Sequence, residues 1–278
     1  MSKSSPHDPE LVTSAANPLV KRMRALADRK HRRRQGAFVV EGLQPVRQAV
    51  EAGADVEVFV VAPRLLTHAA SARMVAEQAE RGVRVAHVSA ELFARLSDRD
   101  GPSGLAAIVR IRTRDLDELE VAPDSLFVAL HEVGNPGNLG TIMRTADAAG
   151  AAGVVLVGNT ADPFDPVAVK ATMGALFNVL VARAADADEL FAWAEARGVT
   201  VAATSAKAES NFWGADYPSP LALLLGSEGA GLPDAVASGC RLRLRIPMTG
   251  KTESLNLAVA AGLLLYEAQR KISPDLDA

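Results

Sequence analysis

The chain has 278 residues, of which 49% are hydrophobic and 23% charged, a balance typical of a globular protein rather than a disordered or membrane-embedded one. Aromatic residues make up 4%, which argues against nucleic-acid binding that depends mainly on base stacking. The formal net charge of −3 excludes a uniformly basic surface, and the single cysteine, Cys240, excludes an intramolecular disulfide and any multi-cysteine metal site. No apolar run is long enough to span a membrane, and residues 1–9 lack the apolar core of a signal peptide, so we expect a cytoplasmic location.

The first predicted element is a basic amphipathic helix over residues 17–35. An Asn-Pro pair begins it, and Leu19, Met23 and Leu26 recur at helical spacing. Eight cations within fourteen residues favour a surface that contacts RNA phosphates, with a solvated charged face as the alternative. These cations are Lys21, Arg22, Arg24, Arg29, Lys30, Arg32, Arg33 and Arg34.

Short apolar strands and helices then alternate up to residue 112. Strands are predicted over 37–42, 56–63, 83–89 and 104–112, and helices over 43–53, 67–81 and 91–98. Because the strands lack strict polar interleaving, we expect a small α/β module with a mostly parallel sheet. The charged, Pro-containing stretch 112–124 is expected to connect this module to a second domain. The predicted domains are therefore residues 1–114 and 115–278.

The second half repeats the α/β pattern. Strands are predicted over 125–133, 153–158, 177–183, 199–206, 221–225 and 240–248, and helices over 139–149, 167–176, 187–197 and 254–271. Three glycine-containing loops follow strands in this half, and ligands in open α/β sheets bind beside the carboxyl ends of the strands. These loops are therefore the candidate binding segments.

The first loop, HEVGNPGNLG, precedes a helix that carries Arg144. Its glycines are spaced GxxGxxG rather than the GxGxxG of dinucleotide-binding turns, so a nucleotide-dependent oxidoreductase is the weaker alternative. The second loop spans Gly226 to Pro233, and its glycines allow close backbone approach to a flat ligand. The third is IPMTGKTESLN, in which Ser254 is expected to cap the terminal helix and Asn256 to be a polar turn residue.

Taken in order, three groups of residues match the three motifs of the SpoU/TrmH branch of the SPOUT methyltransferases. The groups are Asn138 with Arg144, Gly226 with Glu228, and Ile246 with Ser254 and Asn256. The resemblance covers about residues 126–267. The segments NPLVKRMRAL and FVVEGLQPVRQAV also resemble the RNA-binding domain that often precedes this catalytic domain, a small α/β fold related to a ribosomal-protein family.

This resemblance implies a C-terminal SPOUT α/β-knot domain, with a mostly parallel sheet and a deep trefoil knot, in a homodimer. It implies an S-adenosyl-L-methionine-dependent enzyme that methylates a ribose 2′-hydroxyl in RNA. It favours 23S ribosomal RNA, with transfer RNA and a non-catalytic RNA-binding paralogue as alternatives. It indicates neither the modified nucleotide nor whether the role is ribosome maturation or antibiotic resistance.

The ribose hydroxyl holds its proton tightly at neutral pH, so methyl transfer needs a base or stabilisation of the developing alkoxide. By resemblance, Arg144 carries this task. A guanidinium stays charged in proteins, so we expect it to stabilise the oxyanion and hold a phosphate, and the group that accepts the proton is not identified. Asn138 is expected to orient Arg144 or the ribose, and Glu228 to hold Arg144 or an amide of the cofactor loop.

The resemblance also assigns residues to the cofactor. Ser254 and Asn256 would line the same pocket as Arg144. The expected cofactor-binding residues are Gly226, Ile246, Leu255, Thr204, Ser227 and Met248. No histidine spacing suits a metal, so no metal is expected, and Cys240 is expected to be a small buried residue rather than a nucleophile. Each catalytic candidate also has a structural alternative: Arg144 as a surface arginine, Asn138 as a loop-capping residue and Glu228 as a solvated carboxylate.

Overall fold

The computed structural model describes residues 11–97 and 100–272. The chain divides into two compact units. Unit 1 comprises the residues up to Ile111 together with Phe164–Pro166, and unit 2 comprises Arg112–Pro163 and the residues from Val167 onward. The assignment of RNA binding to residues 1–114 and catalysis to residues 115–278 stays a prediction.

Unit 1 packs helices around a four-stranded sheet. The strands are β1 (Ala37–Glu41), β2 (Val56–Val61), β3 (Arg84–His87) and β4 (Leu105–Arg110). The helices are α1 (Pro18–Ala25), α2 (Arg29–Gln35), α3 (Leu43–Glu51), α4 (Ala69–Glu80) and α5 (Ala90–Leu96). The sheet order is β1-β4-β2-β3, with β4 antiparallel to both of its neighbours and β2 parallel to β3. The expected mostly parallel sheet is therefore wrong for this unit, because an alternation of strands and helices does not specify that β4 inserts between β1 and β2.

The predicted single helix over residues 17–35 is also wrong, because the segment forms α1 and α2 with a turn between them. Asp28 caps the second helix, and its Oδ1 accepts a hydrogen bond of 2.7 Å from the Lys30 amide. The Arg32 Nη1 donates to the carbonyls of Leu26 at 3.0 Å and Ala27 at 2.7 Å in the turn. A capping carboxylate and a buried guanidinium thus stabilise a break that helical periodicity does not reveal.

Unit 2 is built on an eight-stranded sheet. The strands are β5 (Arg114–Asp115), β6 (Leu126–His131), β7 (Gly153–Val157), β8 (Val181–Ala184), β9 (Thr200–Thr204), β10 (Ser210–Asn211), β11 (Leu221–Leu225) and β12 (Leu242–Arg245). The helices are α6 (Pro136–Ala148), α7 (Pro166–Thr172), α8 (Ala187–Arg197), α9 (Asp234–Ser238) and α10 (Leu257–Ile272). The strand order is β10-β12-β9-β11-β6-β7-β8-β5, and its pairings are parallel. The predicted α/β class with a mostly parallel sheet is confirmed for this unit, whereas the trefoil knot stays a prediction.

The charged stretch 112–124 was expected to be a connection, but it forms part of unit 2. It contains β5, which pairs with β8 at one edge of the sheet, and a short 3₁₀ turn, Leu116–Glu118. Leu116 and Leu119 are buried in the core of this unit. Two leucines three residues apart therefore anchor this segment to the core of unit 2, although its composition is otherwise that of a linker.

Close helix packing sets the positions of the first and third motifs in unit 2. A Cβ on Gly140 would lie 2.3 Å from the carbonyl oxygen of Ala168 and 2.7 Å from the Cβ of Ala171, so the contact of α6 with α7 requires glycine there. On another side of α6, a Cβ on Gly262 of α10 would lie 3.6 Å from Cγ2 of Thr145. Because α6 and α10 lie side by side, the loops that enter them are brought together.

Candidate functional site

The candidate site lies where three parallel strands of unit 2 end. Strand β6 leads into the loop before α6, β11 leads into residues 226–233, and β12 leads into residues 246–256. β6 pairs directly with β11, and β9 joins β11 to β12, so the three carboxyl ends share one edge of the sheet. This edge is the general location of ligand sites in open α/β sheets.

The Asn138 side chain, near the start of α6, links the other two loops. Its Nδ2 donates a hydrogen bond of 3.0 Å to Oε1 of Glu228. Its Oδ1 accepts one of 3.0 Å from Nδ2 of Asn256. The first motif is therefore joined to the second and to the third through one amide.

The direction of this chain of hydrogen bonds follows from its ends. The Oδ1 of Asn256 accepts from the backbone amides of Ala258 at 2.9 Å and Val259 at 3.4 Å, so Nδ2 of Asn256 is left to donate. An ionised carboxylate can only accept, so Glu228 requires the amide nitrogen of Asn138. Both asparagine amides thus have one favourable orientation, and an aspartate could not replace Asn138 in it.

The same contacts correct the expected start of the terminal helix. Helix α10 begins at Leu257, and its capping side chain is Asn256 rather than Ser254, which is exposed in the preceding loop. Serine and asparagine are both good capping residues, so the sequence does not decide between two candidates two positions apart. Capping fixes the Asn256 side chain where it meets Asn138.

The second loop turns back sharply on itself. A Cβ on Gly226 would lie 2.1 Å from the carbonyl carbon of Gly231, so only glycine fits where the loop begins. The amide of Gly231 donates to the carbonyl of Ser227 at 3.0 Å, and Gly231 has a φ of 69°. This turn holds Glu228 at its exposed tip, toward Asn138.

The remaining residues predicted to bind the cofactor flank this turn. Thr204 ends β9, and the amide of the next residue donates to the carbonyl of Leu244, which ties β9 to β12. Ile246 is half-buried directly after β12. Met248 and Leu255 are each 37% exposed in the third loop. The loop therefore offers apolar surface beside its backbone polar groups.

Arg144 lies on the exposed side of α6 and is not part of the hydrogen-bonded chain. It is six residues beyond Asn138, which places it about 9 Å further along the helix and about 120° around it. The expected ion pair with Glu228 is therefore not formed, since Glu228 bonds to Asn138 instead. Within the described ranges Arg144 has no ion-pair or hydrogen-bond partner, so its charge is available to an anionic ligand.

Sequence reasoning missed two residues at this edge. Asn135 caps α6, and its Oδ1 accepts from the amides of Gly137 at 2.8 Å and Asn138 at 3.1 Å. An asparagine directly before a proline at the first helical position is the signal that could have identified it. Glu132 directly follows β6 and has a φ of 52°, a left-handed conformation that its residue type does not predict.

The predicted RNA-binding cations of unit 1 fall into two groups. Arg22 is held by Glu57, at 2.6 Å, and by Gln35, at 2.9 Å. Arg32 is only 1% exposed, and its burial argues against direct contact with RNA. The other six lie on the surface and form what we call the unit 1 basic face. Its members are Lys21, Arg24, Arg29, Lys30, Arg33 and Arg34.

Three further features of the structure concern metal binding, thiol reactivity and membrane-spanning helices. In the parts of the chain that the structure covers, no group of three or more His, Cys, Asp and Glu side chains could hold a metal ion. Burial raises the pKa of the Cys240 thiol to about 11, so it is protonated at neutral pH. None of the helices within 11–97 and 100–272 is long and apolar enough to cross a membrane.

The fold and the site define an α/β domain with a parallel sheet, at one edge of which three loops are joined by hydrogen bonds. Residues 125–266 match the SpoU rRNA Methylase family, and residues 17–107 match the MRM3-like substrate binding domain. The chain belongs to the SpoU rRNA methylase family. The family and the enzyme class expected from the three motifs are therefore confirmed.

Individual relatives agree with this assignment. A 23S rRNA (uridine(2479)-2′-O)-methyltransferase of Streptomyces viridochromogenes is 34% identical, over 88% of this chain and 87% of its own length. A 23S rRNA (guanosine(2553)-2′-O)-methyltransferase of Bacillus subtilis is 31% identical, over 92% and 97%. The crystal structure of an AdoMet-bound rRNA methyltransferase from Sinorhizobium meliloti superposes with a TM-score of 0.86 and 40% identity, covering 94% of this chain and 97% of that one.

The chain of hydrogen bonds through Asn138 makes a direct prediction. In Asn138→Asp, the new carboxylate faces Glu228 and cannot donate to it, so the loops 226–233 and 246–256 should separate. Hydrogen exchange of the amides in both loops should become faster. Asn159→Asp makes the same chemical change at an exposed loop position and should leave the exchange rates of these amides unchanged. Unchanged exchange in Asn138→Asp would show that the loops hold together without this amide.

Proposed function

We propose that this chain is an S-adenosyl-L-methionine-dependent methyltransferase that modifies a ribose 2′-hydroxyl in 23S ribosomal RNA. The observation that carries the proposal is the assembly of the three motif loops at one edge of the sheet through Asn138. The two curated relatives described above act on 23S rRNA, which favours this RNA over transfer RNA. Their target nucleotides differ, so the modified position is not transferred to this chain.

The residues at the edge of the sheet fit the proposed cofactor. A methionine chain and an adenosine need apolar contact together with backbone hydrogen bonds, and the third loop presents Met248 and Leu255 beside irregular backbone. The tight turn from Gly226 to Gly231 brings a second stretch of backbone close by. When bound, S-adenosyl-L-methionine supplies a methyl group on a positively charged sulfonium.

The protein must then orient and activate the ribose hydroxyl. The unpaired guanidinium of Arg144 can hold a phosphate and stabilise negative charge that develops on the 2′-oxygen. Asn138, Glu228 and Asn256 are satisfied by one another, so we assign them the task of keeping the pocket loops in place rather than of transferring the proton. Ser254, exposed in the same loop, is available for substrate contact.

Unit 1 is proposed to bind the RNA outside the site. It carries the match to a substrate-binding domain, and its basic face presents six exposed cations close together in sequence. Each cation that neutralises a phosphate releases a counterion, so this contribution to affinity should fall with added salt.

The proposed homodimer has a candidate contact surface on α10. Val259, Leu263 and Tyr266 are spaced four and three residues apart and are 52%, 42% and 55% exposed. This spacing puts them on one side of the helix, and an exposed apolar stripe of this kind marks an interaction surface. The same helix packs on α6 near Thr145, one residue after Arg144, so a second copy bound there would lie beside the site.

Methyl transfer and ligand binding test the proposed function together. With labelled S-adenosyl-L-methionine, the protein should methylate a 23S rRNA transcript and not transfer RNA. S-adenosylhomocysteine at a hundred times its Kd should stabilise the fold by about 2.7 kcal/mol, whereas NAD should not, as measured by thermal unfolding. Transfer to tRNA alone would exclude the 23S assignment, binding without transfer would favour a non-catalytic paralogue, and stabilisation by NAD alone would favour an oxidoreductase.

Arg144→Ala should remove most of the activity while the protein still binds RNA. Loss of one preorganised charge at a developing oxyanion lowers kcat by about 10²- to 10³-fold, and Arg144→Lys should recover only part of it. Single-turnover methyl transfer measures this. Arg197→Ala is a suitable control, because Arg197 is paired with Asp117 beside β5. A kcat in Arg144→Ala equal to that of the control variant would remove Arg144 from the mechanism.

Leu263→Glu should convert a dimer to monomers, because it places a charge in the middle of the apolar stripe. Sedimentation equilibrium measures the mass directly. Leu11→Glu makes the same change at a position in unit 1 that is 48% exposed, and it should leave the mass unaltered. If both variants keep the wild-type dimer mass, another surface joins the subunits.

A further inference from the structure

Strand β12 and the residue before it carry a row of arginines that none of the three motifs includes. The sequence Arg241-Leu-Arg-Leu-Arg245 alternates cations with leucines, and alternate residues of a strand point to opposite faces of the sheet. Leu244 is fully buried, whereas Arg241, Arg243 and Arg245 are exposed. Arg243 and Arg245 therefore lie on the solvent face of β12, opposite the buried Leu244, and the exposed Arg241 lies directly before the strand. We call these three residues the β12 arginine row.

An open cleft adjoins the middle of the row. It has a volume of about 420 Å³ and is lined by Arg243 and Lys207, with hydroxyls of Ser205 and Ser238. Asp234 lies in the same cleft and contributes the opposite charge. Two cations and one carboxylate leave the cleft with a net positive charge. The Ser205 hydroxyl accepts from the Lys207 amide at 3.2 Å and can donate to an anion, whereas the Ser238 hydroxyl already donates to the carbonyl of Ala235 at 3.0 Å.

The cations of this surface are not neutralised by neighbouring carboxylates. Among the described residues, neither Arg241, Arg243 nor Lys207 forms an ion pair, and Arg245 donates from Nε to the neutral amide oxygen of Asn211 at 3.0 Å. Two other arginines of unit 2 are paired: Arg114 lies 3.1 Å from Glu118, and Arg197 lies 3.5 Å from Asp117. Unpaired cations collected on one strand create a positive potential that attracts a polyanion.

The row also leads to the candidate site. Arg245 is followed directly by Ile246, the first residue of the third motif, and β12 ends at the same edge as β11 and β6. Arg243 and Arg245 are about 6.5 Å apart along the strand, and Arg241 precedes them. A linear chain of phosphates could therefore contact them in turn, and the planar guanidinium is well suited to phosphate oxygens.

We propose that the β12 arginine row, together with Lys207, binds the phosphodiester backbone of the RNA substrate next to the ribose to be methylated. The inference rests on the proposed function, since it takes RNA as the substrate. It gives unit 2 a phosphate-binding surface of its own, separate from the unit 1 basic face. The row holds the RNA in place and takes no part in methyl transfer.

The test compares two double variants of the full chain with equal loss of charge. Arg241→Gln/Arg243→Gln removes unpaired cations, and Arg114→Gln/Arg197→Gln removes paired ones. Binding of a 23S rRNA transcript is measured over a range of KCl concentrations. For single-stranded RNA, loss of two phosphate contacts should reduce the slope of log K against log salt by about 1.4 in the first variant. The control variant should keep the wild-type slope.

Methyl transfer supplies a second readout. The Arg241→Gln/Arg243→Gln variant should have a KM for RNA raised about tenfold, with kcat within about twofold of wild type. Its stabilisation by S-adenosylhomocysteine should be unchanged, which shows that the fold and the cofactor loops are intact. A fall in kcat at unchanged KM would overturn the proposal and place the row in the chemical step.

The two proposals fail differently in this experiment. If the wild-type protein binds the transcript but transfers no methyl group, the proposed function is wrong, and the salt slopes still decide whether the row contacts RNA. If the wild type transfers methyl groups and both double variants keep its slope and KM, the row does not bind RNA. A slope lost equally in both variants would also contradict the proposal, because it would reflect net charge alone.

Discussion

The side-chain amide of Asn138 is where three loops of unit 2, far apart in sequence, meet. A primary amide has one donor side and one acceptor side. The Asn138 Nδ2 donates to Glu228, and the Asn138 Oδ1 accepts from Asn256. Asn256 presents its Nδ2 to Asn138 because its own Oδ1 caps α10, which fixes the orientation of the amide. The start of a helix, the tip of a glycine turn and the start of a second helix thus depend on the orientation of one side chain.

This arrangement needs the parallel sheet beneath it. The registers of β6, β11, β9 and β12 bring their carboxyl ends to one edge, and the loops inherit that placement. Glycine then permits approaches that a side chain would block, at Gly226 against the backbone of Gly231 and at Gly140 against Ala168. Packing of the sheet and helices and the hydrogen bonds through Asn138 therefore both hold the residues of this edge in place.

The ion pairing of individual arginines says more about ligand binding in this protein than the net charge does. The net charge of −3 conceals arginines of two kinds. Some are held by carboxylates or by buried carbonyls, as Arg22 is by Glu57 and Arg32 by the turn after α1, and these stabilise the fold. Others, including Arg144 and Arg243, have no ionic partner in the described ranges and remain available to phosphate. A polyanionic substrate is the ligand class that such unpaired cations favour.

Sequence alone determined most of the longer strands and helices, the α/β class of unit 2 and the family, because apolar periodicity and motif spacing are local properties of the chain. It missed the short edge strands β5 and β10. It did not determine that residues 17–35 form two helices or that β4 lies between β1 and β2, since Asp28, Arg32 and the strand order act through contacts that periodicity does not encode. Asn138, Glu228 and Asn256 could be nominated from their motifs. Only the tertiary structure decided that they bind one another and not Arg144, because hydrogen-bond direction and the helical offset of Arg144 exist only in three dimensions.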